Sequence, residues 1–183
     1  MQDGQKASLE YYAKNYDEFV AMLSKKGINQ HEHAAYGILS EVGEIASAIK
    51  KHRFYETPLD MENIIEELGD IRFFLQMNLN LLGINIHNKS LNDSLALEEI
   101  QEWPAVNDDN LFYVLRSLLK FEYDVERDTL DLWCKWLKLC AYFKLHPSEV
   151  INYNVVKLMK RYPSMQFSNE DALARADKQE AKE

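Results

Sequence analysis

Apolar residues recur at three- and four-residue steps in two long segments, and this spacing is the feature that most narrows the fold. The two sets are Ala35, Ile38, Val42, Ile45 and Ile49, then Ile64, Leu68, Ile71, Leu75, Leu79 and Leu82. Such steps place the side chains along one face of an α-helix. The 183 residues include only six Gly and four Pro, which suits long helices better than a turn-rich β fold. We therefore predict an all-α protein.

Capping residues predict where the first two helices begin and end. The first is expected at about residues 8 to 26, with Ser8 as its cap and Gly27 as its stop. Asn29 and Glu32 have the spacing of a capping box, in which each side chain bonds to the other residue's backbone amide. This box predicts the start of the second helix.

The remaining helices follow from similar signals. The third is predicted to begin at Thr57-Pro58, or alternatively with Asp60 as cap, and to end near Gly83. Later helices are predicted at about 95 to 103 (short), 109 to 123, 129 to 144 after an Asp128 cap, and from Pro147 to a stop before Pro163. The predicted buried sets are Leu111, Leu115 and Leu118, then Leu130, Trp133, Leu137 and Cys140. The tail DKQEAKE is predicted to be frayed.

Composition and charge narrow the functional class. Hydrophobic residues make up 46% of the chain and charged residues 28%, as in soluble globular proteins. A formal net charge of −9 argues against non-specific nucleic-acid binding, which relies on Lys and Arg at phosphates. The negative charge does not exclude a nucleotide ligand, because a metal ion can supply positive charge locally. The spacing of Cys134 and Cys140 matches no zinc motif and indicates two buried, reduced thiols. The N-terminus is polar and no apolar run is long enough to span a membrane, so we expect a cytoplasmic protein.

Two acidic pairs follow the edges of the two apolar stripes. The first line reads Ala34, Gly37, Glu41, Glu44 and Ala48, and the second reads Asn63, Glu67, Asp70 and Phe74. Acid pairs at this spacing are common on solvated helix faces, and spacing alone favours that interpretation. Their position beside the core on two antiparallel neighbours instead favours four carboxylates that face one another. Such oxygen ligands select Mg²⁺ or Mn²⁺ rather than zinc.

A second set of polar residues shares one face of the last helix. Asn154, Lys157 and Arg161 are three and four residues apart, and together they form a reasonable phosphate-binding set. The alternative is a basic last turn favoured by the helix dipole, which explains Arg161 but not Asn154. Lys51, after the first acidic pair, is a further candidate phosphate contact, and for it the two interpretations are equally supported.

An ExxE at Glu41–Glu44, an ExxD at Glu67–Asp70 and a C-terminal NVVKLMKRYP occur in this order. With the surrounding HAAYGILSEVGEIASAIKKH and IIEELGDIRFFL, they resemble the MazG-like all-α nucleoside triphosphate pyrophosphohydrolases, especially the phage-type members. This superfamily includes dimeric dUTPases. The likeness covers about residues 31 to 84 and 145 to 178. It implies a MazG-like helical bundle of about five to six helices.

The resemblance also implies a reaction. Mg²⁺, or Mn²⁺, would be held by the four carboxylates against the triphosphate, and an activated water would attack the α-phosphorus. The products would be a nucleoside monophosphate and pyrophosphate. Glu41 or Glu44 is implied to orient or deprotonate the water. Lys157 and Arg161 would bind phosphate oxygens, and Asn154 the sugar or phosphate.

The resemblance leaves two departures. Ser40 stands where the fuller motif has its first Glu, which removes one metal or water contact; Glu66 is a partial substitute that points off the acidic line. A segment at about 85 to 144 is absent from short members and adds helices to what we predict is a single domain, residues 1 to 183. The likeness favours a deoxynucleotide substrate with a purine base, and a homodimer or homotetramer.

Alternatives remain at the residue and protein levels. His33 is a candidate base or sugar contact, although a polar helix-end residue is the slightly better interpretation. A di-iron bundle needs Glu-x-x-His, which the sequence lacks. The serious alternative is a non-catalytic nucleotide-binding or helical assembly protein derived from the same fold.

Overall fold

A computed structural model describes residues 3–84, 105–119 and 125–178 of the chain. Within these residues every regular element is helical, which confirms the predicted all-α fold. The helices are α1 (Asp3–Lys14), α2 (Tyr16–Leu23), α3 (Gln30–Tyr55), α4 (Met61–Leu82), α5 (Leu111–Ser117), α6 (Val125–Tyr142), α7 (Pro147–Arg161) and α8 (Asn169–Ala174). These eight exceed the predicted five to six, because the first predicted helix is divided and α8 was not foreseen.

The first predicted helix is interrupted at Asn15. The Asn15 backbone leaves the helical region (φ −111°, ψ 53°), and its side chain donates to the Tyr11 carbonyl at 2.9 Å. The predicted single helix over 8 to 26 is therefore wrong. Ser8 is no cap, since it lies inside α1 and donates to the Gly4 carbonyl at 3.0 Å. The second half ends at Leu23, before the predicted stop.

The ends of α3 and α4 follow largely from their caps. The Asn29 side chain accepts from the Glu32 amide at 3.2 Å, as predicted for the start of α3. The Asp60 side chain accepts from the Asn63 amide at 3.0 Å, so the alternative cap is correct and the Thr57-Pro58 start is wrong. Helix α4 ends at Gly83 (φ +67°), a conformation that glycine adopts readily.

Helices α3 and α4 form an antiparallel hairpin, and this packing brings their acidic lines together. Gly37 of α3 lies against the Phe74 ring of α4, and a Cβ at Gly37 would come within 2.3 Å of that ring. Glu41, one turn later on α3, meets Glu67, two turns earlier on α4. The two lines therefore run face to face, as the short 56–60 connection requires.

Helix α4 lies at the centre of the molecule, between two apolar clusters. One cluster joins α4 to α3, α5, α6 and α7, and the other joins it to α2 and α7. Polar residues of α4 are consequently buried as well: Glu66, Glu67, Arg72, Gln76 and Asn78. Each of these must find its partners inside the protein, because a buried polar group without one is costly.

The later helices agree with prediction in position more than in orientation. Helix α5 ends at Ser117, so the predicted end at about residue 123 is wrong, while Leu111, Leu115 and Leu118 are buried as predicted. Helix α6 begins at Val125, so Asp128 is not its cap. Cys140 is buried as predicted, but Leu130, Trp133 and Leu137 are only partly buried, and the apolar residues buried with Cys140 are Leu132, Trp136 and Leu139. Helix α7 begins at Pro147 and ends at Arg161 as predicted. The predicted short helix at 95 to 103 lies outside the described residues.

Two further sequence predictions concern thiols and membranes. Cys134 and Cys140 are both buried, as predicted. Among the helices that the structure describes, none has the length and apolar content to cross a membrane.

Candidate active site

Three carboxylates converge where the α3 and α4 acidic lines meet. Glu41 of α3 and Glu67 and Asp70 of α4 each offer an oxygen, and these oxygens lie within 4.8 Å of one another. Glu67 is only 3% exposed, while Glu41 and Asp70 are partly buried. Carboxylate oxygens are ligands that suit a hard divalent cation rather than zinc.

Glu44, the fourth predicted ligand, lies outside this group. Its side chain is exposed one turn beyond Glu41, on the rim of a cleft of about 520 Å³. Lys51 and Asn63 line the same cleft. The charge of Glu44 still acts on the group, because it contributes to the raised pKa values of Glu41 and Glu67.

The three acids cannot all carry a charge at low cost. Burial, the hydrogen bond with Glu41 and the neighbouring charges raise the pKa of Glu67 to about 9. Burial, followed by the charges of Asp70 and Glu44, also raises the pKa of Glu41. Glu67 is therefore the proton donor in its bond to Glu41, and its other partner, Asn63 Nδ2, donates to it at 2.7 Å. A bound cation relieves the same repulsion that the shared proton relieves.

Asp70 is held from helix α7. Asn154 Nδ2 donates to Asp70 Oδ1 at 2.9 Å, and Lys157 Nζ donates to Asp70 Oδ2. The amide of Asn154 is fully buried, and its oxygen accepts from the Tyr16 hydroxyl at 2.7 Å. The structure thus brings two of the predicted phosphate-binding residues to the carboxylates, where they bind Asp70.

The other predicted cation, Arg161, is bound by the C-terminal segment. Its Nε and Nη2 donate to the two carboxylate oxygens of Asp177, each at 2.7 Å. Lys178 donates to Glu66 at 2.5 Å, and Lys157 donates to the other oxygen of Glu66 at 3.0 Å. Glu66 therefore faces α7 and the C-terminal turn.

The prediction of a frayed tail is wrong for residues 177 and 178, and residues 179–183 lie outside the described part.

His33 lies at the other end of the acidic line, against Phe74. The two ring centroids are 5.6 Å apart in an edge-on arrangement. Its Nδ1 is buried and has no hydrogen-bond partner within the described part of the chain. Burial, and then the charge of Lys25, lower the pKa of His33, so the ring is neutral near pH 7.

Comparison with protein families bears on the two helices that carry these acids. Residues 29–89 match the MazG nucleotide pyrophosphohydrolase domain. This MazG segment contains α3, α4 and all three converging carboxylates. No curated protein and no solved structure matches the chain significantly. The match supports a nucleotide pyrophosphohydrolase activity and, with the acidic group, a divalent-metal dependence.

Ser40 is where the sequence of the MazG segment departs from the fuller motif. Its hydroxyl donates to the Gly37 carbonyl at 2.8 Å and lies 3.1 Å from Glu41 Oε1. The short side chain thus stays at the helix surface beside Glu41, and adds no charge to the group.

Sequence reasoning missed the residues that support the MazG segment from outside it. Tyr16 and Asp177 lie 138 and 16 positions from their partners Asn154 and Arg161, and no local pattern marks such pairs. A partial signal existed for Arg72, Gln76 and Asn80, which recur at four-residue steps along an otherwise apolar helix. Arg72 donates to Gln76 at 2.7 Å and Gln76 to Asn80 at 2.8 Å.

Proposed function

We propose that the protein is a divalent-metal-dependent nucleoside triphosphate pyrophosphohydrolase that forms a nucleoside monophosphate and pyrophosphate. The observation that carries this proposal is the convergence of Glu41, Glu67 and Asp70 oxygens within 4.8 Å inside a MazG segment. The group suits Mg²⁺ or Mn²⁺, because its donors are all carboxylates and because burial together with the neighbouring acids raises the pKa of Glu67 to about 9. The cation would neutralise the triphosphate and lower the pKa of the attacking water.

The side chains in and around this group would have different roles in binding the cation, the water and the phosphates. Glu41, Glu67 and Asp70 would hold the cation, and the exposed Glu44 would orient the water or accept its proton. Lys157 lies between Glu66 and Asp70, where its ammonium group would also stabilise charge on a phosphate oxygen. A substrate contact at Asn154 stays a prediction, and it requires this fully buried amide to move.

The length of α3 suits an extended nucleotide. His33 is two turns before Glu41, and Lys51 is almost three turns after it, so they lie about 12 Å and 15 Å away along the axis. We propose that the triphosphate end of the substrate extends towards Lys51 and its cleft. The base would lie towards His33 and Phe74, two partly buried rings that pack edge-on against each other. Arg161 would bind phosphate only after Asp177 releases it.

The test is product analysis with each NTP and dNTP in the presence of Mg²⁺. We expect monophosphate and pyrophosphate, with a deoxynucleotide carrying a purine base as the preferred substrate. Glu67→Gln and Asp70→Asn should reduce kcat by a factor of about 100 or more, since each removes a ligand charge. Glu10→Gln, at an exposed acid of α1, is the control and should be fully active.

Other outcomes separate the alternatives. Release of diphosphate and orthophosphate would indicate a phosphatase instead. Nucleotide binding without turnover, by folded and metal-loaded protein, would favour the non-catalytic binding or assembly protein. We also propose a homodimer or homotetramer, which light scattering of the eluted protein would test.

A further inference from the structure

The geometry points to Tyr16 as a positioning residue for Asp70, acting through Asn154. This inference rests on the proposed cation site and goes beyond it, since Tyr16 lies on α2, outside the MazG segment. Its hydroxyl donates to Asn154 Oδ1 at 2.7 Å, and Asn154 Nδ2 donates to Asp70 Oδ1 at 2.9 Å. Two hydrogen bonds therefore connect α2 to a carboxylate on α4.

The Tyr16 hydroxyl holds the Asn154 amide at the end that faces away from Asp70. An asparagine amide fits its site in two orientations that exchange oxygen and nitrogen. Burial raises the pKa of Tyr16, so the phenol keeps its proton and offers a donor to Oδ1. Both oxygens of Asp70 accept hydrogen bonds, so the amide turns its NH₂ group towards Asp70, and the Tyr16 hydroxyl holds Oδ1 at the other end. Removing the hydroxyl leaves the buried Oδ1 without that donor.

Tyr16 is itself held in place by α4. Its ring lies against the buried guanidinium of Arg72, which is 4.9 Å from the ring centroid. Asp17 follows Tyr16 in the chain, and its carbonyl accepts a hydrogen bond from Asn80 Nδ2 at 2.9 Å. The side chain is only 1% exposed. The hydroxyl is thus supplied by a fixed group and not by a mobile one.

The amide is also confined from the opposite side. At Gly69, next to Asp70, an added Cβ would lie 3.0 Å from Asn154 Cβ and 3.2 Å from Nδ2. Any larger residue at this position would push the amide away. With Lys157 bonded to Oδ2, both oxygens of Asp70 are oriented, and each keeps a lone pair for a cation.

The experiment measures Mn²⁺ binding without nucleotide, from the electron paramagnetic resonance signal of free Mn²⁺. Tyr16→Phe keeps the ring on Arg72 and removes only the hydroxyl, and we expect the Kd for Mn²⁺ to rise about threefold to tenfold. The control is Tyr11→Phe, which removes an exposed hydroxyl that donates to Glu18 at 3.1 Å. The control should bind Mn²⁺ like the wild type.

A second pair of variants tests the route through Asn154. Gly69→Ala displaces the amide without touching Tyr16, and it should raise the Kd by a similar factor. In an Asp70→Asn background, Tyr16→Phe should cause no further loss, because the two changes break one chain of contacts. Circular dichroism confirms that each variant is folded.

The outcomes that overturn the inference are distinct from those that overturn the proposed reaction. Unchanged Mn²⁺ affinity in folded Tyr16→Phe, or an additive loss in the Asp70→Asn background, would refute the positioning role. If Tyr16→Phe does not fold, unchanged affinity in Gly69→Ala refutes it instead. No Mn²⁺ binding by the wild type would refute it together with the cation site. Normal Mn²⁺ binding without nucleotide turnover would refute only the reaction.

Discussion

Two glycines of α3 occupy opposite environments although they are six residues apart in the same helix. Gly37 is buried, and a Cβ there would come within 2.3 Å of the Phe74 ring. Gly43 is exposed, and a Cβ there would meet nothing within 4 Å. The first glycine allows α3 to approach α4 closely beside the carboxylates, and the second only costs helix stability.

We predict opposite effects of alanine at these two positions. Gly37→Ala should lower the free energy of unfolding by about 1–3 kcal/mol, because Phe74 must move within a packed interface. Gly43→Ala should raise it by up to about 1 kcal/mol, since alanine favours the helix. Urea denaturation of both variants measures the difference. Equal stabilisation by the two substitutions would contradict the close packing at Gly37.

The short turn at residues 176–178 forms ion pairs with two helices, because Asp177 pairs with Arg161 of α7 and Lys178 with Glu66 of α4. It closes over the C-terminal half of α7, where Asp177 binds Arg161 through both oxygens and is itself only 4% exposed. A phosphate would compete for the same guanidinium face, because carboxylate and phosphate share this two-point geometry. In the proposed reaction, the turn would therefore control how much positive charge Arg161 offers to a phosphate group.

Asp177→Asn should release Arg161 and strengthen the binding of pyrophosphate, the proposed product. We expect its Kd to fall about threefold to tenfold by calorimetry, because one charge-assisted pair no longer competes. Lys178→Gln, in the same turn, leaves Arg161 paired and serves as the control. Weaker pyrophosphate binding in folded Asp177→Asn would mean that Asp177 orients Arg161 for the ligand rather than masking it.

The elements also show what could be predicted from sequence. The caps Asn29 and Asp60 and the stop at Gly83 are local signals. Most of the predicted buried stripes of α3 and α4 are also correct, although Ala35, Ile49 and Leu82 are only partly buried. Asn15 breaks the first helix through a side-chain bond to a backbone carbonyl, and such competition is not visible in apolar spacing. In α6 two neighbouring faces are apolar, so only the packing partner decides which one is buried.

For the candidate site, the sequence predicts which residues share a face of one helix, but it does not predict contacts between helices that are distant along the chain. The face-to-face arrangement of Glu41 with Glu67 followed from a short connection between two helices. The pairing of Arg161 with Asp177 did not, because the tail looked too polar to be ordered. The roles of the predicted site residues stay predictions until variants are measured.

For the whole molecule, the carboxylate group ties stability to pH and to cations. Burial and neighbouring acids raise the pKa of Glu67 to about 9, from 4.5 in a solvated chain. Between these values the folded protein holds more protons than the unfolded chain, so its stability decreases as the pH rises. The decrease approaches about 1.4 kcal/mol per pH unit for a single proton.

Mg²⁺ should flatten this dependence, because a bound cation removes the need for the proton. We expect the free energy of unfolding, measured with urea and EDTA, to fall from about pH 5 to about pH 9. Excess Mg²⁺ should reduce the fall and raise stability at the alkaline end. In the absence of Mg²⁺, Glu67→Gln should remove most of the pH dependence of the free energy of unfolding. If neither Mg²⁺ nor this substitution changes the pH dependence of the free energy of unfolding, other groups must cause that dependence.

The two bonds that Asp70 receives from α7 have a consequence for protein engineering. Asn154 and Lys157 follow Asp70 by 84 and 87 positions, far beyond the hairpin that carries the acids. Transplanting α3 and α4 alone into another scaffold would transfer the carboxylates but not the two side chains that orient Asp70. We expect such a chimaera to bind Mn²⁺ weakly until a third helix with an Asn-x-x-Lys pair is added, which a titration of both versions would show.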